Sequence, residues 1–259
     1  MVKQEEMMKA ALASTKAAGS VMLTLFTGLL VACGQQPSEP AEPDSAASPL
    51  RTRLLTGDKS SNTIAAVFGE DVANSVLPPI PPMDRTDGLL ASGSAFVGVT
   101  SDQVSQIQQT GAAIAARVVD AEHRDFLIPC SPESIAAADT SCTGLFLGEA
   151  GRLLLRRPLE ESRLAELVQI ADYAAEQTED FYDGLALALE AILISPDFVF
   201  IADRAEPDPD APGQERLDSY SVASRLSFLL WNAPPDDALL LAAETGELHT
   251  KEGLARSVN

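Results

Sequence analysis

From Leu145 to Leu193 the apolar residues return every three or four positions in three successive runs, and that spacing restricts this stretch to packed helices. Leu145, Phe146, Ala150, Leu153 and Leu154 make the first run, which Arg156-Arg157-Pro158 stops. The second begins near Glu160 and Glu161, acids suited to the positive end of a helix, and carries Leu164, Leu167, Val168, Ile170 and Ala171. The third runs from Asp180 through Leu185, Leu189, Ile192 and Leu193 to Ser195-Pro196. Because it is apolar on nearly all sides, it is expected to be the central buried helix.

The flanks extend the pattern. Leu54, Leu55, Ile64, Val67 and Phe68 predict a short helix closed by Gly69, a residue able to take the left-handed conformation of a C-cap. Ser101 is a suitable N-cap for a helix to about Asp120, with Val104, Ile107, Gly111, Ile114, Ala115 and Val118 on its inner face. Between these helices Pro78-Pro79-Ile80-Pro81-Pro82, Asp87-Gly88 and Gly93 admit no regular element. Downstream, Asp218 caps a helix with Val222, Leu226, Leu229, Leu230 and Trp231, Pro234-Pro235 breaks it, Asp237 to Ala243 begins another, and Thr250 to Asn259 starts one more. No strand alternation runs at length, so the predicted fold class is all-α: an irregular helical bundle with Pro-rich loops and a disordered N-terminal tether.

The tether follows a leader. Lys3, Lys9 and Lys16 precede an apolar run from Ala17 to Ala32, an order that marks a signal peptide. The run is shorter than the roughly 20 apolar residues a spanning helix needs. It ends in Leu30-Val31-Ala32-Cys33-Gly34, which resembles the bacterial lipobox, so Cys33 is expected to be acylated and to become the mature N-terminus; the other reading is an unmodified thiol within a removed leader. Residues 34–49, rich in Pro, Ser and acids, have no apolar period and suit a solvated tether. The expected organisation is 1–32 leader, 33–50 tether, 51–141 N-terminal helical region with a Pro-rich loop, 142–204 helical domain, 205–216 acidic Pro-rich linker, and 217–259 the start of a further helical domain, truncated because neither a polar tail nor a capping signal closes it. The expected address is the cell envelope, lipid-anchored to a membrane and facing the periplasm or exterior.

Charge and composition limit the partners. Asp and Glu total 38 against 18 Lys and Arg, a field that repels phosphate backbones and makes nucleic acid an unsuitable partner. Only 5% of residues are aromatic and Trp231 is the sole Trp, which leaves little for a sugar or base platform. Besides Cys33 the chain has Cys130 and Cys142, an even pair that in an oxidising compartment reads as a local disulfide stabilising by roughly 3 kcal/mol, the alternative being two independent buried thiols. With no Cys-x-x-Cys and two His in all, a metal site is not expected.

Catalytic and cofactor motifs are missing from the sequence: it contains no Cys-x-x-Cys-His, Gly-x-Ser-x-Gly or His-Glu-x-x-His. No catalytic, cofactor-binding or metal residue is therefore assigned, and no cofactor is expected. His123, in Asp120-Ala-Glu-His-Arg-Asp125, could serve acid–base work, although such a cluster more commonly forms a charged helix end. His249 is expected at the surface. Arg156 and Arg157 suit either an anion or the negative end of a helix dipole, the second being the commoner use. Asp208 and Asp210 lack the spacing of a calcium loop. Arg225, on an otherwise apolar helix, needs a carboxylate partner, and Trp231 is expected to pack between helices.

Arg152-Leu-Leu-Leu-Arg-Arg-Pro-Leu159 followed by Gly184-Leu-Ala-Leu-Ala-Leu-Glu-Ala-Ile-Leu-Ile-Ser-Pro-Asp-Phe198 resembles the fifth domain of a set of exported bacterial proteins, best known from planctomycetes. In these proteins several domains of unknown function occur in series, sometimes fused to cytochrome c. Leu217-Asp-Ser-Tyr-Ser-Val-Ala-Ser-Arg-Leu-Ser-Phe-Leu-Leu-Trp231, with Pro235-Asp-Asp237 behind it, resembles the start of the fourth domain. Arg53-Leu-Leu-Thr56 through Asn62-Thr63 to Phe68-Gly69 is similar to the opening of the third, except that Lys59 and Ser60 stand where those proteins carry an acid and a Tyr. The resemblance implies architecture and address but no mechanism. It makes an envelope protein, a cytochrome c among the candidates, the expected partner beside the membrane itself. The expected function is that of a lipid-anchored structural or interaction domain; the alternative is the N-terminal part of a periplasmic multidomain enzyme, redox or polymer-degrading, whose catalytic region is absent.

Overall fold

A computed structural model describes residues 50–75 and 99–258. The leader, Cys33, the tether up to residue 49 and the proline run 78–82 with Asp87-Gly88 lie outside them. The described chain is predominantly helical, as the apolar spacing requires.

A short strand, β1 (Thr52–Leu54), leads into α1 (Gly57–Phe68), whose N-cap Thr56 accepts a hydrogen bond from the Lys59 amide. Gly69 ends α1 at φ 94°, and α2 (Glu70–Asn74) follows. Next comes α3 (Ser101–Val119), whose cap is Thr100 rather than Ser101: the Thr100 hydroxyl and the Gln103 side chain satisfy each other's backbone amides, a reciprocal arrangement a cap at Ser101 would forgo. A single turn, α4 (Arg124–Leu127), precedes α5 (Thr140–Leu154), α6 (Glu161–Thr178) and α7 (Phe181–Leu193). Asp139 caps α5, and the Asp180 carboxylate caps α7 by accepting from the Tyr182 and Asp183 amides.

Helix α7 is the centre, as its apolar surface predicts. Leu185, Ala188 and Leu189 are fully buried, and the helix packs between α3 and α6. Small residues set the spacing: a Cβ built on Gly184 would stand 2.4 Å from the Ala171 carbonyl oxygen of α6, and one on Gly111 of α3 would stand 3.0 Å from Ile194. One apolar cluster joins Leu54, Ile64, Ile114, Phe146, Leu167, Leu189 and Phe228, so the segments on either side of Thr140 share a single core.

After α8 (Pro196–Val199) the chain adds β2 (Phe200–Ala202), which pairs antiparallel with β1 so that Arg53 faces Ile201. The stretch read as a linker, 205–216, contributes most of a small hairpin, β3 (Ala205–Pro207) with β4 (Glu215–Leu217). Three-residue strands are too short to show alternation, which is why an all-α reading passes over them. Then come α9 (Ser219–Leu230), α10 (Asp237–Glu244), a 3₁₀ turn (Glu247–His249) and α11 (Lys251–Ser257), gathered round a second, smaller cluster of Ala223, Leu239, Ala243 and Leu248. Among the described residues no helix is long and apolar enough to cross a membrane.

Helix α9 departs from expectation. Its buried face is Ser219, Ser221, Ala223, Ser224, Ser227 and Phe228, while Leu229, Leu230 and Trp231 stand in solvent. The hydroxyls find partners there: Ser227 donates to the Ser224 carbonyl, and Ser221 accepts from the Arg204 amide at 2.9 Å.

Candidate functional site

Three places in the fold concentrate chemistry. The first is a cavity of about 210 Å³ where the turn after α5, the start of α6 and the end of β2 meet. Four guanidinium groups, of Arg156, Arg157, Arg163 and Arg204, line it against two carboxylates, Glu160 and Asp197. Arg156 adopts a left-handed backbone (φ 62°) immediately past α5 and turns its side chain inward until only 4% of the residue is exposed. Its Nη1 donates to the Leu154 carbonyl at 3.1 Å and more loosely to Phe198, and its Nη2 donates to the carbonyls of Asp197 and Phe200. The guanidinium thus meets the carbonyl end of α5, as expected for a basic residue there, and also holds α8 and β2.

Every one of those Arg156 partners is a neutral carbonyl. Burial, aided by neighbouring Arg157 and opposed by Asp197, pushes Arg156 down to about 10, so it stays charged at neutral pH. Arg157 is engaged differently: its Nη1 donates to Asp218 at 2.9 Å, and its guanidinium lies 5.6 Å from the centre of the Tyr220 ring. Burial would raise Asp218, but hydrogen bonds from Arg157 and Ser221 outweigh it and hold this carboxyl below its ordinary value. Arg204 and Arg163 are more open, with Asp197 3.5 Å and Glu166 3.0 Å away. Behind the cavity wall Arg225 finds the carboxylate it needs in Asp203, through Nε at 3.1 Å and Nη2 at 2.6 Å. The Asp203 side chain is 1% exposed and also accepts from the Arg51 amide.

The second place is His123, buried between two carboxylates. Its Nδ1 lies 2.7 Å from Asp120 and its Nε2 lies 2.7 Å from Asp71, which belongs to α2. Sequence proximity reveals the first contact and hides the second, 52 residues away. The hydrogen bonds to Asp120 and Asp71, against burial, raise His123 above its ordinary value. Asp71 is held low, first by His123 and, against burial, by Arg117. For Asp120, burial acts upward, yet bonds from His123 and from the Glu122 and His123 amides leave it low.

Asp120, Glu122 and His123 could offer three donor atoms to a metal. The Arg117 guanidinium already stands among them, 2.9 Å from Asp120, 3.2 Å from Glu122 and 3.4 Å from Asp71, and both ring nitrogens of His123 are committed to carboxylates. The cluster is therefore a clasp from α2 to the end of α3, with cation and anions all supplied by the chain. His249 is not a free surface residue; it lies half-buried, with its Nε2 3.2 Å from Glu206 of the hairpin.

The third place is apolar. Leu229 is 80% exposed and Trp231 is 52% exposed, correcting the expectation that Trp231 packs between helices. Beside Trp231 runs a groove of about 590 Å³ lined by Ala233, Pro234, Ala238, Leu239 and Ala242, with Asp236, Glu247 and Arg256 on its border. Leu241 is exposed on the same helix, α10. Cys130 and Cys142 lie apart from all three places, with Cα atoms 5.6 Å apart, a geometry competent for a disulfide.

Two family models match the chain. Residues 142–203 match PSD5, a protein of unknown function (DUF1595), and residues 217–259 match PSD4, a protein of unknown function (DUF1592). Two domains of unknown function thus stand in series, with Arg156, Arg157 and Arg163 in the first and Ser224 of the same cavity in the second. No curated protein and no solved structure matches.

Proposed function

We propose that the chain is an exported helical module, held at a membrane through acylated Cys33, whose work is contact with another envelope protein. The observation that carries this is the ridge Leu229-Leu230-Trp231 with the groove beside it. Monomeric soluble proteins rarely leave a Trp and adjoining leucines clustered in water, and aromatic anchors of this kind dominate binding energy where partners meet. The lipobox-like Leu30-Val31-Ala32-Cys33-Gly34 supports the address. The net charge of −20 favours a partner with basic groups around an apolar patch, and the resemblance makes a c-type cytochrome the first to test. The other reading, the N-terminal part of a periplasmic multidomain enzyme, would place the chemistry outside this sequence.

The test is photo-crosslinking in cells, with the reactive residue placed at Leu229 or Trp231 and, as control, at exposed Tyr173 on α6. The expected result is an adduct at 229 and 231 with one envelope protein, identified by mass spectrometry, absent at 173 and lost when Trp231→Asp is combined with the probe at 229. Equal labelling at all three positions would reject the docking ridge.

A further inference from the structure

We infer that the cavity between α5, α6 and β2 is a binding site for a small oxyanion, the carboxylate or phosphate group of a small molecule. In a chain with 18 basic residues against 38 acidic ones, four guanidinium groups converge on one cavity; Arg157, Arg163 and Arg204 have carboxylates nearby, whereas Arg156 is held by carbonyls. Arg156 is its floor. A buried guanidinium bound by four carbonyls is satisfied in hydrogen bonds but not in charge, since dipoles do not cancel a full positive charge as a contact carboxylate would. Asp203 shows the contrast, because it gives Arg225 the two-pronged pair that Arg156 lacks.

Above that floor, Arg163 and Arg204 keep donors in reserve. Among the described residues Arg163 uses Nη1 toward Glu166, and Arg204 approaches Asp197 through Nη2 at 3.5 Å. A carboxylate or phosphate entering between them would gain charge-assisted bonds from planar donors suited to both shapes. A volume of about 210 Å³ suits a small molecule. The site draws residues from both matched domains, so occupation would also brace their junction. This inference is independent of the docking ridge and stands or falls without it.

Thermal melts of the purified full chain at constant ionic strength, with inorganic phosphate or succinate replacing chloride, test it. The expected result is a saturable rise in Tm with at least one of the two probes, the stronger naming the preferred group. The doubly substituted Arg163→Gln/Arg204→Gln protein should bind that probe at least 10-fold more weakly. Both residues are partly exposed, so the fold is retained, and far-UV circular dichroism checks this. Glu160→Gln, which removes a negative charge from the wall, should instead bind several-fold more tightly. No rise with either probe, or unchanged dissociation constants in both variants, would overturn the assignment.

Discussion

Asp203 and His123 bind distant parts of the chain by opposite electrostatic means, and each gives a measurable consequence. Asp203 is a buried anion that serves Arg225 in two bonds and lies 3.8 Å from Arg53. Removing one partner of such a pair leaves the other unpaired in a poorly solvated place, so Asp203→Ala should cost about 3 kcal/mol in urea unfolding. Asp203→Leu together with Arg225→Met should cost clearly less than the single change; a larger loss would contradict the pairing. His123 works through protonation. Its folded pKa lies above the ordinary 6.5, so its contribution is complete below that value and fades as pH rises through the raised one. Asp71 and Asp120 lie below their ordinary 3.8, so their share is present above that value and is lost as pH falls through the depressed ones. The stability difference between wild type and His123→Gln should therefore be largest between about pH 4 and 6.5 and shrink toward pH 9. A difference that grew with alkalinity would refute the clasp.

The Arg225 pair was legible in the sequence because a charge on an apolar helix demands a counter-charge, although nothing local names Asp203. The fate of Arg156 was half legible: a basic residue past a helix end predicts carbonyl contacts, but the inward turn depends on α8 and β2, which lie about forty residues on. The exposure of Trp231 was not legible, because an apolar run at a helix end does not tell which face of the helix meets the body. On α9 the serines do.

Elements are fixed by backbone approach as much as by apolar period. Helices α6 and α7 meet where Gly184 faces Ala171 and Ala175, with space for hydrogen alone. Gly184→Ala should destabilise the fold by roughly 1–3 kcal/mol through overpacking, although the substitution favours helix in isolation. Chemical denaturation checks this, and a stabilising outcome would show that the helices stand further apart. In the same experiment Leu189→Ala, at the fully buried centre, should cost about 2–5 kcal/mol, whereas Leu229→Ala on the ridge should change stability by less than about 0.5 kcal/mol. The long helices were readable because each carries several turns of apolar pattern, to which Asp180 and Asp218 add the caps of α7 and α9. The strands were not: three residues are too few to show alternation, and β1 pairs with a segment nearly 150 positions away.

Across the whole molecule, one core runs from Leu54 to Phe228 and a small second cluster holds the last three helices and the turn between them. Phe228, on the Ser-rich face of α9, belongs to the larger core, and Asn62 of α1 donates to the Asn232 carbonyl beyond α9. The ridge beside that contact sets three exposed apolar residues in succession next to an apolar groove, which is the physical basis for reading it as a place of contact. An oxidising address suits the Cys130–Cys142 geometry: thiol titration of the unreduced, unfolded protein should find neither of these two cysteines free, and two reactive thiols would show that they stay reduced. The proposed envelope location underlies both that bridge and the proposed partner, and it turns on Cys33. Metabolic labelling with a radioactive fatty acid should mark the wild-type chain in the membrane fraction and leave Cys33→Ala unlabelled; an unlabelled, uncleaved wild-type chain among the soluble contents of the cell would contradict the proposed anchor and address.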